Sequence, residues 1–494
     1  MQEFDVLIVG KGNAALCSAL SAHEHGVKVA LLEAASEDEQ GGNSRFAGGV
    51  MRFAYDTVDD LKRVTELTDE EVATSDFGTN TTDEFFDDLF RLTSYRTDPD
   101  LSEILVTQSL DVMAWLRTKG VKFLPNFGRQ SGMVNGKRKF FGRLPIEVHG
   151  GGAGLVEYLD KAVKAKGIDV FYNTRAVSLL YDGERVSGVR AKMNGKITDF
   201  RAKSVVLACG GFEANPEMRT RYLGPGWELV KVRGSRFNQG DGLKMALDIG
   251  AAPYGNWSGS HAVGWDRNAP EFGDVNVGDQ FQKHSYIFGI LVNADGKRFV
   301  DEGLDFHAFT YAKYGGEVLK QPGQFAWQVF DSKVKNLLRS EYRIKMMTKV
   351  SANTLEDLAS KLEGVNPEGF LKTVREYNAA VKKDVPFTHV VKDGKCTVGI
   401  EPQKSNWAQV LDTPPYDAYQ TTCGITFTFG GLRILKETGQ VVDVHLNPIP
   451  GLYTAGEMVG GLFFFNYPSG TGLVSGAVFG RIAGAGAAQG AKGT

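Results

Sequence analysis

Between Asp5 and Glu33 the chain runs through an apolar segment, Val6-Leu7-Ile8-Val9, and then Gly10-Lys11-Gly12-Asn13-Ala14-Ala15 opens a helical stretch. A second apolar segment, Val29-Ala30-Leu31-Leu32, follows and ends on the carboxylate of Glu33. Strand, glycine turn, helix and strand in this order predict a device for holding a dinucleotide. Gly10 permits the tight turn, and Gly12 lets backbone approach a pyrophosphate with no side chain in the way. The helix opening near Asn13 presents unpaired N–H groups and a positive dipole end to the phosphates. Glu33 falls about 20 residues after the turn, where a carboxylate accepts hydrogen bonds from a ribose. Ala15 stands where a third glycine is usual and still allows close helix–strand packing.

At 494 residues the chain exceeds one ordinary core, so two domains are expected, interleaved or in series. A formal net charge of −3 gives no reason to expect nucleic acid or an anionic membrane as partner. The cysteines, Cys17, Cys209, Cys396 and Cys423, lie far apart and form no C-x-x-C pair. That spacing argues against iron–sulfur, zinc and c-type haem ligation, and no metal site is expected. No apolar run approaches a membrane span, and no leader precedes the first strand; both point to a cytoplasmic, reduced location.

A second block, Gly41 to Met51, packs Gly41, Gly42, Gly48 and Gly49 around Asn43 and Ser44, as backbone wrapped round a flat phosphorylated ligand would. A flexible surface loop is the alternative. Residues 52–150 carry an amphipathic helix through Ile104, Leu105, Leu110, Val112, Met113, Trp115 and Leu116. The acidic runs Asp69–Glu71 and Asp83–Asp88 are expected on a solvated helix face. Gly150-Gly151-Gly152 opens a helix ending near Gly167, and Val170 to Met193 reads as a small meander. Ser204 to Leu207 is continuously apolar and ends at Ala208-Cys209-Gly210-Gly211, as a central parallel strand should. Asp241 is expected to cap the next helix and to bond a ligand. From about 251 to 406 the character changes: His261, His284 and His307 lie among aromatics, followed by helices around Leu355 and Phe370. The boundaries expected are therefore 1–250 and 407–494 for a split ligand-binding domain, with 251–406 inserted between.

The pieces GKGNAAL, Glu33, GGNSRFAGG, GGGAGL, VVLACGG, GDG, LYTAGE and SGAVFGRIAG resemble, in this order, the fumarate reductase/succinate dehydrogenase flavoprotein superfamily. More narrowly, WSGSHAVGWDRNAPEFGD, QFQKHSYIFGILVNADGKRFVDEG, TYAKYG and CGITFTFGG look like its tricarballylate dehydrogenase branch. The resemblance implies an α/β fold: a Rossmann-like FAD-binding domain of the glutathione-reductase type, interrupted by an α+β capping domain. It places Glu33 at the adenosine ribose, with Ala34 beside it. Gly10, Gly12, Asn13, Ala14, Ala15, Gly42, Asn43, Ser44, Gly48 and Gly49 would line the pyrophosphate and ring. Ala176 would lie at the adenine, Asp241 at the flavin and Glu457, after Gly456, at the ribityl chain, with Ala208 and Gly210 against the cofactor. The backbone of Gly472 and Leu473 would face the N1/O2 edge of the flavin. No histidine occupies the GGNSRFAGG loop, so the implied FAD is non-covalent.

The departures from the fumarate reductase pattern are as informative. Thr426-Phe427 stands in place of a His-His pair. Phe463-Phe464-Phe465-Asn466-Tyr467 lacks the arginine that clamps a substrate carboxylate, and Asp305-Phe306-His307 lacks the arginine proton donor. With these two arginines replaced, a small fumarate-like substrate is not expected. A histidine takes a proton at neutral pH and an arginine does not, so the exchange at His307 tilts the reading toward dehydrogenation. His307 is the first candidate base and His284 the second, each with a structural histidine as the alternative. His261 would orient a carbonyl or carboxylate. Tyr467 offers a phenol where the clamp used to be, resembling the tyrosine of 3-ketosteroid dehydrogenases. Three readings follow: a dehydrogenase (desaturase) of a CH–CH bond alpha to a carboxylate or ketone, an ene-reductase using the site in reverse, and an FAD subunit of an electron-transfer complex. The expected partners are a small acid or ketone and an electron acceptor: oxygen, a quinone or a redox protein.

Overall fold

The computed structural model describes residues 2–493. Strand β1 (Gln2–Val9), helix α1 (Asn13–Glu24) and strand β2 (Val29–Leu32) form the expected unit. β1 and β2 pair in parallel, Val6 opposite Val29, and Val6, Leu7 and Ile8 are fully buried. Both faces of this sheet are covered, which is why its strands read as unbroken apolar runs. Helix α2 (Pro99–Thr118) is capped by Asp98, whose carboxylate accepts from the N–H groups of Asp100 and Leu101. Helix α3 (Gly151–Ala165) leads into β3 (Asp169–Phe171), which extends the sheet beside β2. Strands β4 (Thr174–Tyr181), β5 (Val186–Met193) and β6 (Lys196–Leu207) make the antiparallel meander. The far end of β6 turns that meander back into the parallel sheet, with Val205–Leu207 beside β1.

Short β7 (Lys231–Val232) and helix α4 (Asp241–Asp248) come next. A second sheet gathers β7, β8 (Pro253–Asp266), β9 (Ile290–Val292), β10 (Ala326–Phe330), β11 (Lys349–Ala352) and β12 (Tyr416–Leu432). Helix α5 (His307–Leu319) packs on β8, where Cβ on Gly315 would stand 2.5 Å from Ala262 backbone. Helices α6 (Leu355–Lys361) and α7 (Pro367–Ala380) cover the outer part. β12 lies past residue 406 yet pairs with four strands of this sheet, and its far end reaches the first domain's loops. The chain then returns: β13 (Gln440–Val442) and β14 (Pro448–Thr454) complete a first sheet ordered β13-β14-β6-β1-β2-β3, and α8 (Thr471–Lys492) closes it. The fold is α/β, a Rossmann-like domain interrupted by an α+β cap.

The Gly/Ala richness of α8 has a steric cause. A Cβ on Gly480 would lie 2.6 Å from the Ala14 carbonyl oxygen, and one on Gly484 would lie 2.3 Å from that of Ser18. Only a bare backbone lets α8 sit this close to α1. Two expectations are corrected. Asp88 is buried, not solvated, and bonds Arg52 at 3.3 Å and Arg143 at 2.9 Å; Arg52 in turn donates to the Ser469 carbonyl at 3.0 Å just ahead of α8. Asp241 does not cap α4: Gly240, at φ 82°, occupies the cap position, and the Asp241 carboxylate pairs with Arg175 at 2.8 Å. Among the described residues no helix is long and apolar enough to cross a membrane.

Candidate active site

The ends of β1, β2, β6 and β14, the loop after Gly41 and the inner face of the second sheet enclose one long cavity, about 1820 Å³ including its open mouth. One end belongs to the glycine turn. Gly10, at φ 108°, has no room for a side chain, since a Cβ would stand 2.4 Å from the Ala208 carbonyl oxygen. Gly12 caps α1 without a side chain of its own, so the helix N-terminus opens toward the cavity with Ser44 beside it. Asn13 ties the cradle together: its N–H donates to Ser44 Oγ at 3.0 Å, its Nδ2 donates to the Leu473 carbonyl at 2.7 Å, and its Oδ1 accepts from Cys17 Sγ at 3.5 Å. It is a strut between the first helix and the last. Lys11, almost wholly buried, pairs with Asp160 of α3.

Glu33 sits at the end of β2 with Oε1 accepting from the Ala35 N–H at 2.8 Å. Burial pushes its carboxyl up to about 7, and Lys11 pulls the other way. Ala34, Ala176 and Ala208 line the same end. Because Asp241 pairs with Arg175, the neighbour of Ala176, it stands with these residues and not at the ring end where the resemblance put it. Ala14, Gly42, Asn43, Ser44, Gly48, Gly49, Gly210, Gly456, Glu457, Gly472 and Leu473 all line the cavity, while Ala15 is buried behind it. The glycines of the Gly150 block do not. A Cβ on Gly152 would lie 2.0 Å from the Ser44 carbonyl oxygen, so this block serves to seat α3 against the loop.

Sequence reasoning missed Glu213. It is fully buried, its Oε1 accepts from Asn238 at 2.6 Å, and it faces Glu457, which accepts from the Thr428 N–H at 2.7 Å. Burial pushes both carboxyls up; the charge of Glu457 raises Glu213 further, while hydrogen bonds from Thr428 and Glu213 draw Glu457 back.

The other end gathers all four candidate catalytic residues. His261 on β8 stacks on Phe427 with ring centroids 5.1 Å apart and meets Tyr467 and Tyr311 edge-on at 4.9 Å each. His284 lies 4.7 Å from the Tyr311 ring and 6.2 Å from His307, and its Nε2 has no hydrogen-bond partner among the described residues. His307 is the first residue of α5, and its Nε2 accepts from Arg339 at 2.6 Å and Gln130 at 3.1 Å. Burial holds all three imidazoles well below their ordinary pKa, and Arg339 adds to this at His284 and His307. The Tyr467 hydroxyl accepts the Gly472 N–H at 3.2 Å, at the start of α8. Arg339 and Arg129 were invisible to motif reading. Arg339 lies within KVKNLLRSEYR, a run indistinguishable by composition from a solvated surface turn. The expectation that arginine had left the site is thereby corrected: it returns from a different segment.

A helix N-terminus, a glycine cradle and a ribose-height carboxylate at one end fit an FAD, with an aromatic and imidazole chamber left at the other. These features define a flavoprotein oxidoreductase. The chain belongs to the FAD binding domain family, which matches residues 5–473, within the fumarate reductase/succinate dehydrogenase flavoprotein superfamily. It is similar to the probable fumarate reductase Ifc3 of Shewanella frigidimarina, 32% identical over 98% of this chain and 74% of that protein. The open form of a flavocytochrome c3 fumarate reductase superposes with a TM-score of 0.74 at 29% identity, covering 99% of this chain and 79% of the other. A 3-ketosteroid Δ1-dehydrogenase from Sterolibacterium denitrificans shares the fold at a TM-score of 0.74 and 21% identity, over 99% of this chain and all of that one. This chain is an FAD-dependent oxidoreductase acting on CH–CH groups.

Glu33→Ala is expected to weaken FAD binding by about 1–3 kcal/mol, the cost of stranding a charge-assisted hydrogen bond, with turnover per bound flavin little changed. Titration of the stripped protein with FAD measures this; unaltered affinity means that the ribose lies elsewhere.

Proposed function

We propose that this chain is a dehydrogenase, similar to the tricarballylate dehydrogenase branch, that desaturates a CH–CH bond next to a carboxylate or ketone. The carrying observation is the chamber of three buried, neutral imidazoles at the far end of the FAD cavity. Neutral imidazoles accept protons, which is what removal of an acidic α-proton requires. FAD, when bound, supplies the acceptor for the β-hydrogen as hydride. His307 is the proposed base, with His284, whose Nε2 has no hydrogen-bond partner among the described residues, as the second candidate. In the structure the His307 lone pair is held by Arg339, so the base works only once that guanidinium turns to an anion. His261 orients the substrate carbonyl or carboxylate, and Tyr467 bonds the oxygen that gains charge as the α-proton leaves.

The reverse reading, an ene-reductase, is favoured by one feature: Arg339 bonded to His307 is a permanently protonated donor within the chamber. Anaerobic mixing separates the two. Saturated acids or ketones that bleach the oxidised flavin support dehydrogenation; bleaching by none, with reoxidation of the reduced flavin by unsaturated acids, overturns it.

The cofactor residues keep the roles given above, Asp241 excepted, and FAD is held without a covalent bond, since Gly41–Met51 contains no histidine. We assign 1–250 and 407–494 to the FAD domain and 251–406 to the cap, β12 crossing between them. The four unbridged cysteines support a reducing, cytoplasmic setting, and electrons leave to oxygen, a quinone or a redox protein.

Tyr467→Phe keeps the ring and deletes the hydroxyl. If the phenol acts in the transition state, kcat should fall more than KM rises. Steady-state kinetics checks this; wild-type constants in the variant would make the tyrosine a packing residue.

A further inference from the structure

Four arginines line the cavity. Arg175 pairs with Asp241 at 2.8 Å, Arg233 forks onto Asp279 at 2.6 and 2.8 Å, and Arg129 meets Glu341 at 3.2 Å. Arg339 has no ion pair among the described residues. Its guanidinium donates to the neutral His307 Nε2, and an imidazole lone pair is no counter-ion. Glu341 forms its ion pair with Arg129 and, like Asp279, acts on Arg339 only at longer range; Glu147 is raised by burial and drawn back by both arginines without pairing with either. A partly enclosed guanidinium with donors to spare is an unfinished anion site. The facing wall is different in kind. Phe427 and Phe463 pack edge to face with Tyr467, Phe429 packs edge to face on Phe427, and no cation stands among them.

We propose that the chamber takes a carboxylic acid of single negative charge, its carboxylate on Arg339 and an apolar or aryl group against Phe427 and Phe463. The charge count decides between acid classes. One guanidinium without an ion pair offers its free N–H donors to one carboxylate, and the second carboxylate of a symmetrical diacid would face rings. The anchor also offers a way to release the His307 lone pair, because a guanidinium drawn onto a carboxylate deeper in the chamber swings away from the imidazole. This rests on the reading of the chamber as the substrate end and names the acid it selects.

The test titrates the FAD-loaded protein with trans-cinnamate, cinnamamide and fumarate, following the flavin absorbance. Cinnamate is expected to bind about 10-fold or more tightly than either of the others. Arg339→Gln should weaken cinnamate by about 30-fold or more, as for a truncated charge pair, and leave cinnamamide unchanged. FAD content and thermal midpoint report whether the variant is folded; if it is not, the wild-type ranking alone decides. Fumarate binding more tightly than cinnamate, no flavin perturbation by any of the three, or undiminished cinnamate affinity in the folded variant overturns the proposal. Cinnamate binding in the absence of bleaching by any saturated acid sinks the dehydrogenase reading and leaves this one standing.

Discussion

His307→Ala is expected to slow reduction of the bound flavin by substrate by about 10²–10⁴-fold, the usual value of a positioned general base. FAD content should stay near that of the unchanged chain, because the residue begins α5 in the cap and touches none of the glycine cradle. The structure also moves the expected pH dependence. An ordinary imidazole would cost activity below about pH 6.5. Here burial, Arg339 and Arg129 hold the His307 pKa well below that value, and a helix N-terminus disfavours the cation further. The base therefore stays neutral to lower pH, and the acid limb of kcat/KM should lie well under 6.5. Stopped-flow reduction across pH checks both statements. Wild-type rates in the variant would pass the role to His284.

Lys283→Met should be the most damaging single change to stability, at about 3–5 kcal/mol. Lys283 and Asp266 are both fully buried and 2.9 Å apart. The aspartate also accepts from the Thr348 N–H at 2.9 Å and its hydroxyl at 2.7 Å, so it stays ionised, while burial drags the lysine down to about 8. Deleting the lysine leaves a carboxylate in the core with hydrogen bonds but no counter-charge. Adding Asp266→Asn should recover much of the loss, since the pair is coupled. Thermal and denaturant melts measure this, and an unchanged midpoint for Lys283→Met would refute it. The lysine precedes His284, so the same staple fixes that imidazole against Tyr311.

The FAD cradle was legible in the sequence because its requirements are local. A turn at Gly10, a helix N-terminus at Gly12 and a carboxylate at Glu33 lie within about thirty residues, each with one physical purpose. Helix α8 was legible by its Gly and Ala content, though not the reason, which is contact with α1. The chamber was only half legible. His261, His284, His307 and Tyr467 stood out as residue types, but Arg339 and Arg129 reach them from turns with no pattern of their own. Asp88 was misread because a charge run on a helix does not say which member points inward. Asp241 was misplaced because its partner, Arg175, lies on a strand that no motif marks. Glu213 was missed for a similar reason: only the fold sets it opposite Glu457.

The Asn13 strut has a consequence for how the protein comes into being. It joins α1 to Leu473, and β14 must pair with β6 before the first sheet is whole. A nascent chain that has made its glycine turn, its ribose carboxylate and its phosphate loop still lacks the helix that closes over them until α8 has been made. Most of the cradle is synthesised long before the segment that completes it. The half-built sheet has an open edge at β6 for that whole interval, a natural place for a chaperone to hold or for a neighbouring chain to aggregate. Loading with FAD then waits for α8, and a chain cut ahead of Thr471 should be a protein without a cofactor rather than a weaker enzyme.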